Sequence, residues 1–326
     1  MSIISASNIS KDFTKVQYGW PNFWSRHLET KTAVDNLSIQ IDEGELVGFL
    51  GPNGAGKTTF LKILSGIIHP TLGQANVLGF TPWQRNHDFL RQIAIVMGQK
   101  NQLWWDLPAI DSFNMLKEVY EIPTRKYHKN LDQMVEVLNM KELLTKRLRN
   151  MSLGERMKCE LTASFLHDPK IIFLDEPTIG LDVISAKSIR TFLKEINKTK
   201  KCTLILTSHY MGDIEELCKR VIIINHGQKI YDGDLAELKN KYAPEKEIII
   251  LLNDLEDKKK FAHLKGKNKK IIENKGIIRV GKEDLGLVVS EIFDNFEIEN
   301  VVIQDIETEE VITRVFEKKQ ESSAKN

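Results

Sequence analysis

The stretch "GPNGAGKT", Gly51–Thr58, constrains this chain more than any other. The short apolar run Glu45–Leu50 leads into it, and apolar residues then recur at Phe60, Leu61, Leu64 and Ile67, a helical spacing. Strand, tight loop and helix must therefore follow one another here. The spacing satisfies G-x-x-x-x-G-K-[ST] at every position. Gly51, Gly54 and Gly56 let the backbone turn tightly, so that N–H groups converge on an anion. Lys57 brings a point charge suited to the β- and γ-phosphates of a nucleotide, and the Thr58 hydroxyl is a hard oxygen ligand for Mg²⁺. The helix that follows directs its positive end at the same anion. Asn53, Ala55 and Thr59 complete the predicted phosphate-binding set, and a nucleotide with Mg²⁺ is expected there.

A second stretch, "IIFLDEPTIGLD" from Ile171, ends an apolar run in two adjacent carboxylates. Alone, they would read as a solvated acidic turn. Opposite a phosphate loop they acquire a chemical role, because such enzymes use a second strand to deliver an aspartate to Mg²⁺. Asp175 ends its strand and suits that task, directly or through water. Glu176 would point the other way on a continuing strand, but past the strand's end it reaches water beyond the γ-phosphate, which it would orient and polarise.

The rest of the chain narrows the class. A net charge of +1 gives no global field for nucleic acid. Cys159, Cys202 and Cys218 are scattered without CxxC spacing, which suggests a reducing compartment and no zinc site. "MSIISASNIS" lacks the pattern of a signal peptide, and no stretch approaches the ~20 apolar residues of a membrane span. Strands are expected over Phe89–Val96, Ile171–Leu174, "CTLILTSH" and "VIIINHG", with a polar, helix-rich region from about Asp111 to His167. Alternating strands and helices predict an α/β fold with a parallel sheet covered on both faces. The composition shifts to lysine-rich near "KYAPEKE", which assigns residues 1–242 to a first domain and 243–326 to a second. The second carries strand patterns in "EIIILL", "KIIENKGIIRVG" and "ENVVIQDIE", and helices around Leu285–Phe296 and from about Thr308. That order predicts a small α+β appendage with a frayed tail.

The interval from Lys57 to Asp175 leaves room for an inserted helical subdomain, at about residues 100–167, and this carries "MSLGERMKCE". Here the chain resembles the nucleotide-binding subunits of ABC transporters. "GPNGAGKTT" resembles their Walker A motif, "IIFLDEP" their Walker B and "SLGE" their signature. "MGQK" at Met97–Lys100 resembles the Q-loop, "IGLD" at Ile179–Asp182 the D-loop, and "LTSHY" with His209 the switch histidine, all in the family's order. The resemblance covers about Ser2 to Leu238. It implies a P-loop cassette with a parallel-sheet core, an N-terminal antiparallel portion and the helical insertion. Ser152 and Gly154 open a helix, and in the family that site faces the γ-phosphate held by a second subunit. A homodimer with two ATPs sandwiched head to tail follows. The signature departs from the commonest pattern, with Leu153 in place of a glycine and Glu155 in place of a glutamine. The resemblance further implies that Gln99 senses Mg²⁺ and the attacking water, that His209 contacts the γ-phosphate and that Asp182 communicates across the dimer. Phe13 is the candidate for stacking on adenine, with Tyr18 as rival.

Two aromatic stretches stand out. "QLWWDLP", Gln102–Pro108, follows the Q-loop, where the family's membrane subunits insert a coupling helix; interface anchors and subdomain core are the two readings of Trp104 and Trp105. "QYGWPNFWSRHLET", Gln17–Thr30, suits a membrane headgroup layer, a permease or a plain ordered loop. Together they resemble a bacterial exporter-type branch with separately encoded permeases. The resemblance thus implies an ATPase subunit, peripheral on the cytoplasmic face of the membrane, that energises export of a drug, lipid or polysaccharide. A translation or DNA-repair ATPase is the alternative, but the chain has one P-loop and a short helical region. A non-hydrolysing regulatory module would be expected to lack Glu176 or Lys57.

Overall fold

The computed structural model describes residues 2–18, 26–98, 100–297 and 300–323. The chain divides into two compact units, Met1–Gly233 and Asp234–Asn326.

The first unit is built on strands that are apolar almost throughout: β3 (Leu46–Leu50), β5 (Ile93–Met97), β6 (Ile171–Asp175), β7 (Thr203–Thr207) and β8 (Arg220–Asn225). Continuous apolar runs of this kind suit strands covered on both faces. They form a six-stranded sheet with β9 (Gln228–Asp234), in the order β5-β6-β7-β3-β8-β9. The pairings β5·β6, β6·β7, β7·β3 and β3·β8 are all parallel. Register brings three strand ends side by side: Phe49 pairs with Thr207, and Thr207 with Asp175. The loops leaving β3, β6 and β7 therefore share one edge, the carboxyl end of the sheet, where open α/β sheets bind ligands.

A second sheet, antiparallel, has the order β2-β1-β4, from β1 (Ser2–Tyr18), β2 (Arg26–Asp42) and β4 (Leu72–Val77). Its inward residues, among them Ile4, Ile9, Val34, Leu37 and Ile39, share one core with Phe49, Phe60, Phe173 and Ile222. Helix α1 (Lys57–Leu64) is seated in that core, with Phe60 stacked on Phe49 at 5.5 Å between ring centres. Such a pair adds about 0.5–1.5 kcal/mol beyond its buried area, which fixes the helix directly behind the glycine loop.

The strand expected over Phe89–Val96 begins later. Asn86 accepts a hydrogen bond from the Asp88 N–H and starts the short helix α2 (His87–Leu90), which drops Phe89 into the core; β5 then runs from Ile93, opposite Ile171. A short apolar run reads equally as helix or strand by periodicity, and here the cap decides. The helical insertion comprises α3 (Ala109–Val119), α4 (Thr124–Val137) and α5 (Leu153–Phe165). Helices α6 (Val183–Lys200) and α7 (Met211–Leu217) follow β6 and β7. Among the described residues no helix is long and apolar enough to cross a membrane.

The second unit starts earlier than the sequence assigns it. Helix α8 (Leu235–Tyr242) belongs here, because it lies against α11 (Thr308–Ser323), and Arg314 of α11 donates to the Tyr242 carbonyl at 3.0 Å. Between them run β10 (Glu245–Leu251), α9 (Leu255–His263), β11 (Lys267–Ile272), β12 (Lys275–Gly281), α10 (Leu285–Asn295) and β13 (Val301–Asp305). The sheet order is β11-β12-β10-β13 with every pairing antiparallel, a split βαβ arrangement. Strand alternation sends Ile248, Ile250, Ile278 and Val280 to a core with Phe261, Val288 and Ile292. The opposite face carries Glu247, Arg279 and Gln304 in cross-strand register, with Arg279 held by Glu310 in a two-armed pair at 2.6 Å.

Candidate functional site

The loop between β3 and α1 is an anion cradle. Gly56 has φ +103°, and a Cβ there would run into the Ala33 carbonyl, so only glycine closes this turn. Helix α1 has no side-chain cap and no acidic residue in its first turn, which leaves its N–H groups for an anion. Lys57 is buried, and its Nζ donates to the carbonyls of Gly51 (2.6 Å) and Pro52 (3.0 Å). Burial lowers its pKa below the ordinary lysine value, against the opposing pull of Glu176 and Asp175.

Asp175 meets this loop from β6. Thr58 Oγ1 lies 3.1 and 3.0 Å from its two carboxylate oxygens, and Thr207 Oγ1 donates to it at 2.7 Å. A hydroxyl and a carboxylate side by side suit Mg²⁺, which keeps water and phosphate in the rest of its shell. Among the described residues no group of three or more His, Cys, Asp or Glu side chains converges as a metal cage. Glu176 follows with φ +56°, in the left-handed region. Its N–H donates to the Thr207 carbonyl and hydroxyl, both at 3.1 Å. That turn breaks the strand alternation and brings Glu176 Oε1 within 2.8 Å of His209 Nε2.

Phe13 and the glycine loop line the same cleft, about 330 Å³ in volume, together with Lys31, Ala33, Asn53, Thr59 and Glu176. Phe13 is 45% exposed and pairs across the hairpin with Lys31. Lys57, Thr58, Asp175, Glu176, His209 and Phe13 thus form one neighbourhood around the glycine loop. Ser152, Gly154 and Asp182 form another, outside the residues that line this cleft. Ser152 caps α5 in a reciprocal capping box with Glu155 (3.2 and 2.7 Å), and Lys146 pairs with Glu155, holding its carboxyl below the usual range. Gly154 abuts Ser185, leaving no room for a Cβ, and Ser185 donates to Asp182 at 2.6 Å. Asp182 in turn caps α6, accepting from the N–H groups of Ile184 and Ser185. The starts of α5 and α6 are therefore neighbours within one chain.

Gln99 lies outside the described residues, as do the Tyr18 side chain and residues 19–25 of the aromatic stretch. Trp104 and Trp105 are 40% and 43% exposed, and the Arg156 guanidinium lies 5.0 Å from the centre of the Trp105 ring. Thr207 escaped sequence reasoning. Its only signal was a hydroxyl ending an apolar strand two residues before His209, and the meaning of that lies in cross-strand register.

A strand–glycine loop–helix unit facing a strand-end carboxylate defines a P-loop nucleotide-binding protein. The ABC transporter family's model matches residues 34–179. The ABC transporter ATP-binding protein NatA of Bacillus subtilis is 32% identical over 206 residues, 63% of this chain and 83% of NatA. The bacitracin transport ATP-binding protein BcrA of Bacillus licheniformis is 30% identical over 213 residues, 65% of this chain and 68% of BcrA. ABC transporter A family member 8 of Dictyostelium discoideum is 35% identical over 235 residues, 72% of this chain, but the match spans only 28% of that longer protein. In fold, the chain is similar to a dimeric ATP-binding cassette solved in a post-hydrolysis state with ADP and Pi. The TM-score is 0.60 at 22% identity, over 71% of this chain and 98% of that one. The chain belongs to the ABC transporter family, and it is an ATP-binding protein of that family.

Proposed function

We propose that this chain hydrolyses ATP with Mg²⁺ and works as a homodimer in which two ATPs are sandwiched head to tail, energising export through separate membrane permeases. The observation that carries the reading is the meeting of Glu176 and His209 at 2.8 Å beside the Thr58–Asp175 pair. The glycine-loop N–H groups and Lys57 bind and orient the phosphates. Mg²⁺, held by Thr58, Asp175 and Gln99, would neutralise charge on the β- and γ-phosphates. Glu176 orients and polarises the attacking water, and His209 fixes Glu176 and contacts the γ-phosphate. Phe13 stacks on adenine. Ser152 and Gly154 lie apart from the cleft and act on the partner's γ-phosphate, with Asp182 signalling between the two sites.

The permeases dock at the loop bearing Trp104 and Trp105. An adjoining groove of about 410 Å³, lined by Leu90, Ile95, Leu103, Leu116 and Val119, supports this. The unit Met1–Gly233 supplies the cassette, the unit Asp234–Asn326 an accessory domain, and the protein sits peripherally on the cytoplasmic face of the membrane. Export of a drug, lipid or polysaccharide rests on the exporter-type aromatic stretches. The test is phosphate release by the purified protein. Glu176→Gln should lose on the order of 10²–10⁴ in rate while keeping ATP affinity, and ATP should shift it to dimer on a sizing column. A rate within twofold of wild type sinks the assignment of Glu176.

A further inference from the structure

Asp213, on α7, is completely buried. Its carboxylate nevertheless gathers three donors. Ser208 Oγ donates to Oδ2 at 2.7 Å, Thr178 Oγ1 donates a short hydrogen bond to the same oxygen, and Arg190 Nη1 donates to Oδ1 at 2.9 Å. Thr178 and Ser208 are themselves buried, and Arg190 is steadied by Glu216 at 2.6 Å. The donors come from three different segments. Thr178 stands two residues after Glu176, Ser208 stands one before His209, and Arg190 lies in α6, the helix that Asp182 caps.

Apolar side chains would fill such a position at less desolvation cost. A fully satisfied polar network instead specifies one arrangement, because every donor must find its acceptor in a region water does not reach. Here the single arrangement joins the segments that carry Glu176, His209 and Asp182. We propose that Asp213 is a positioning residue for hydrolysis. By holding Thr178 and Ser208 it sets the distance between Glu176 and His209. It touches neither nucleotide nor water and acts only through those two side chains. The inference rests on the reading that Glu176 and His209 serve hydrolysis.

The test measures kcat, KM for ATP and melting temperature for Asp213→Asn and Thr178→Val, each in the wild-type and the His209→Ala background. Misplacing a catalytic group lowers turnover by on the order of ten- to a hundredfold. That loss is expected in kcat for both variants, with KM for ATP held within about twofold. In the His209→Ala background neither substitution should lower kcat further, because residues acting as a unit are not additive. A purely structural role predicts another pattern: melting temperature and ATP affinity fall together, and the kcat losses multiply on His209→Ala. That pattern overturns the proposal. If Asp213→Asn does not fold, Thr178→Val carries the test alone, since it removes one hydroxyl without changing shape; wild-type kcat in that variant overturns the proposal. Two failures remain distinguishable. If Glu176→Gln and His209→Ala keep wild-type rates, the hydrolysis reading falls and takes this inference with it. If those two lose activity while Asp213→Asn and Thr178→Val do not, this inference alone falls.

Discussion

Replacing Lys57 by methionine separates binding from folding at the phosphate loop. In the free protein the Lys57 ammonium is buried and its pKa is lowered by that burial, so the charge costs stability until an anion arrives. Its two carbonyl partners, on Gly51 and Pro52, belong to residues that water still reaches, so they can be rehydrated when the ammonium is gone. The free Lys57→Met protein should therefore keep its stability to within about 1 kcal/mol. Nucleotide binding behaves differently. At ligand a hundred times Kd, wild type gains about 2.7 kcal/mol. For a domain of this size that raises the melting temperature by about 5–10 °C. Losing a hydrogen bond from a charged donor costs about 1.5–3 kcal/mol, hence roughly ten- to a hundredfold in affinity. At the same ligand concentration the variant then gains only about 0.4–1.4 kcal/mol, or about 1–5 °C.

Thermal melts with and without a non-hydrolysable ATP analogue and Mg²⁺ measure both terms. A full ligand shift in the variant would show that Lys57 does not meet the phosphates. A free variant that melts far below wild type would show that the lysine is a structural rivet. The pH dependence has a fixed sign. Because the folded pKa lies below the unfolded one, the unfolded state binds more protons between them, and stability rises with pH there. The burial penalty is present in full below the folded pKa and is relieved as pH climbs through it toward the ordinary lysine value. Lys57→Met should lack that rise.

Two further outcomes follow from the same geometry. Mixing Lys57→Ala chains with Ser152→Arg chains, each inactive alone, should restore part of the phosphate-release activity, because a heterodimer holds one site free of both lesions; absence of recovery with heterodimers present would refute action across the dimer. Changing Trp104 and Trp105 together to Ala should leave ATP affinity intact and cost little stability, since both rings are partly exposed and the lost Arg156 contact is worth about 0.5–1 kcal/mol. The same variant should lose membrane-subunit capture, at about 2 kcal/mol per anchor ring. A collapse in melting temperature, or unchanged capture and transport, would refute the docking assignment.

Local chemistry made much of this protein readable without coordinates. The phosphate loop is contiguous, and glycine spacing, lysine and threonine each have a short-range reason to be where they are. The parallel core strands announced themselves because strands buried on both faces must be apolar throughout. The α+β character of the C-terminal unit showed in its alternation. Its starting point did not, because what draws Leu235–Tyr242 into that unit is a helix from the far end of the chain. The same limit applied inside the site. Nothing near Glu176 in sequence says that its backbone turns left-handed; hydrogen bonds from its N–H to Thr207, on a neighbouring strand, hold it there. Thr207 reaches Asp175 through cross-strand register, and Asp213 collects Thr178, Ser208 and Arg190 from three segments. Residue type and spacing determine which groups are available for chemistry. Their distances and orientations depend on contacts between segments far apart in the chain, and only the folded structure decides those.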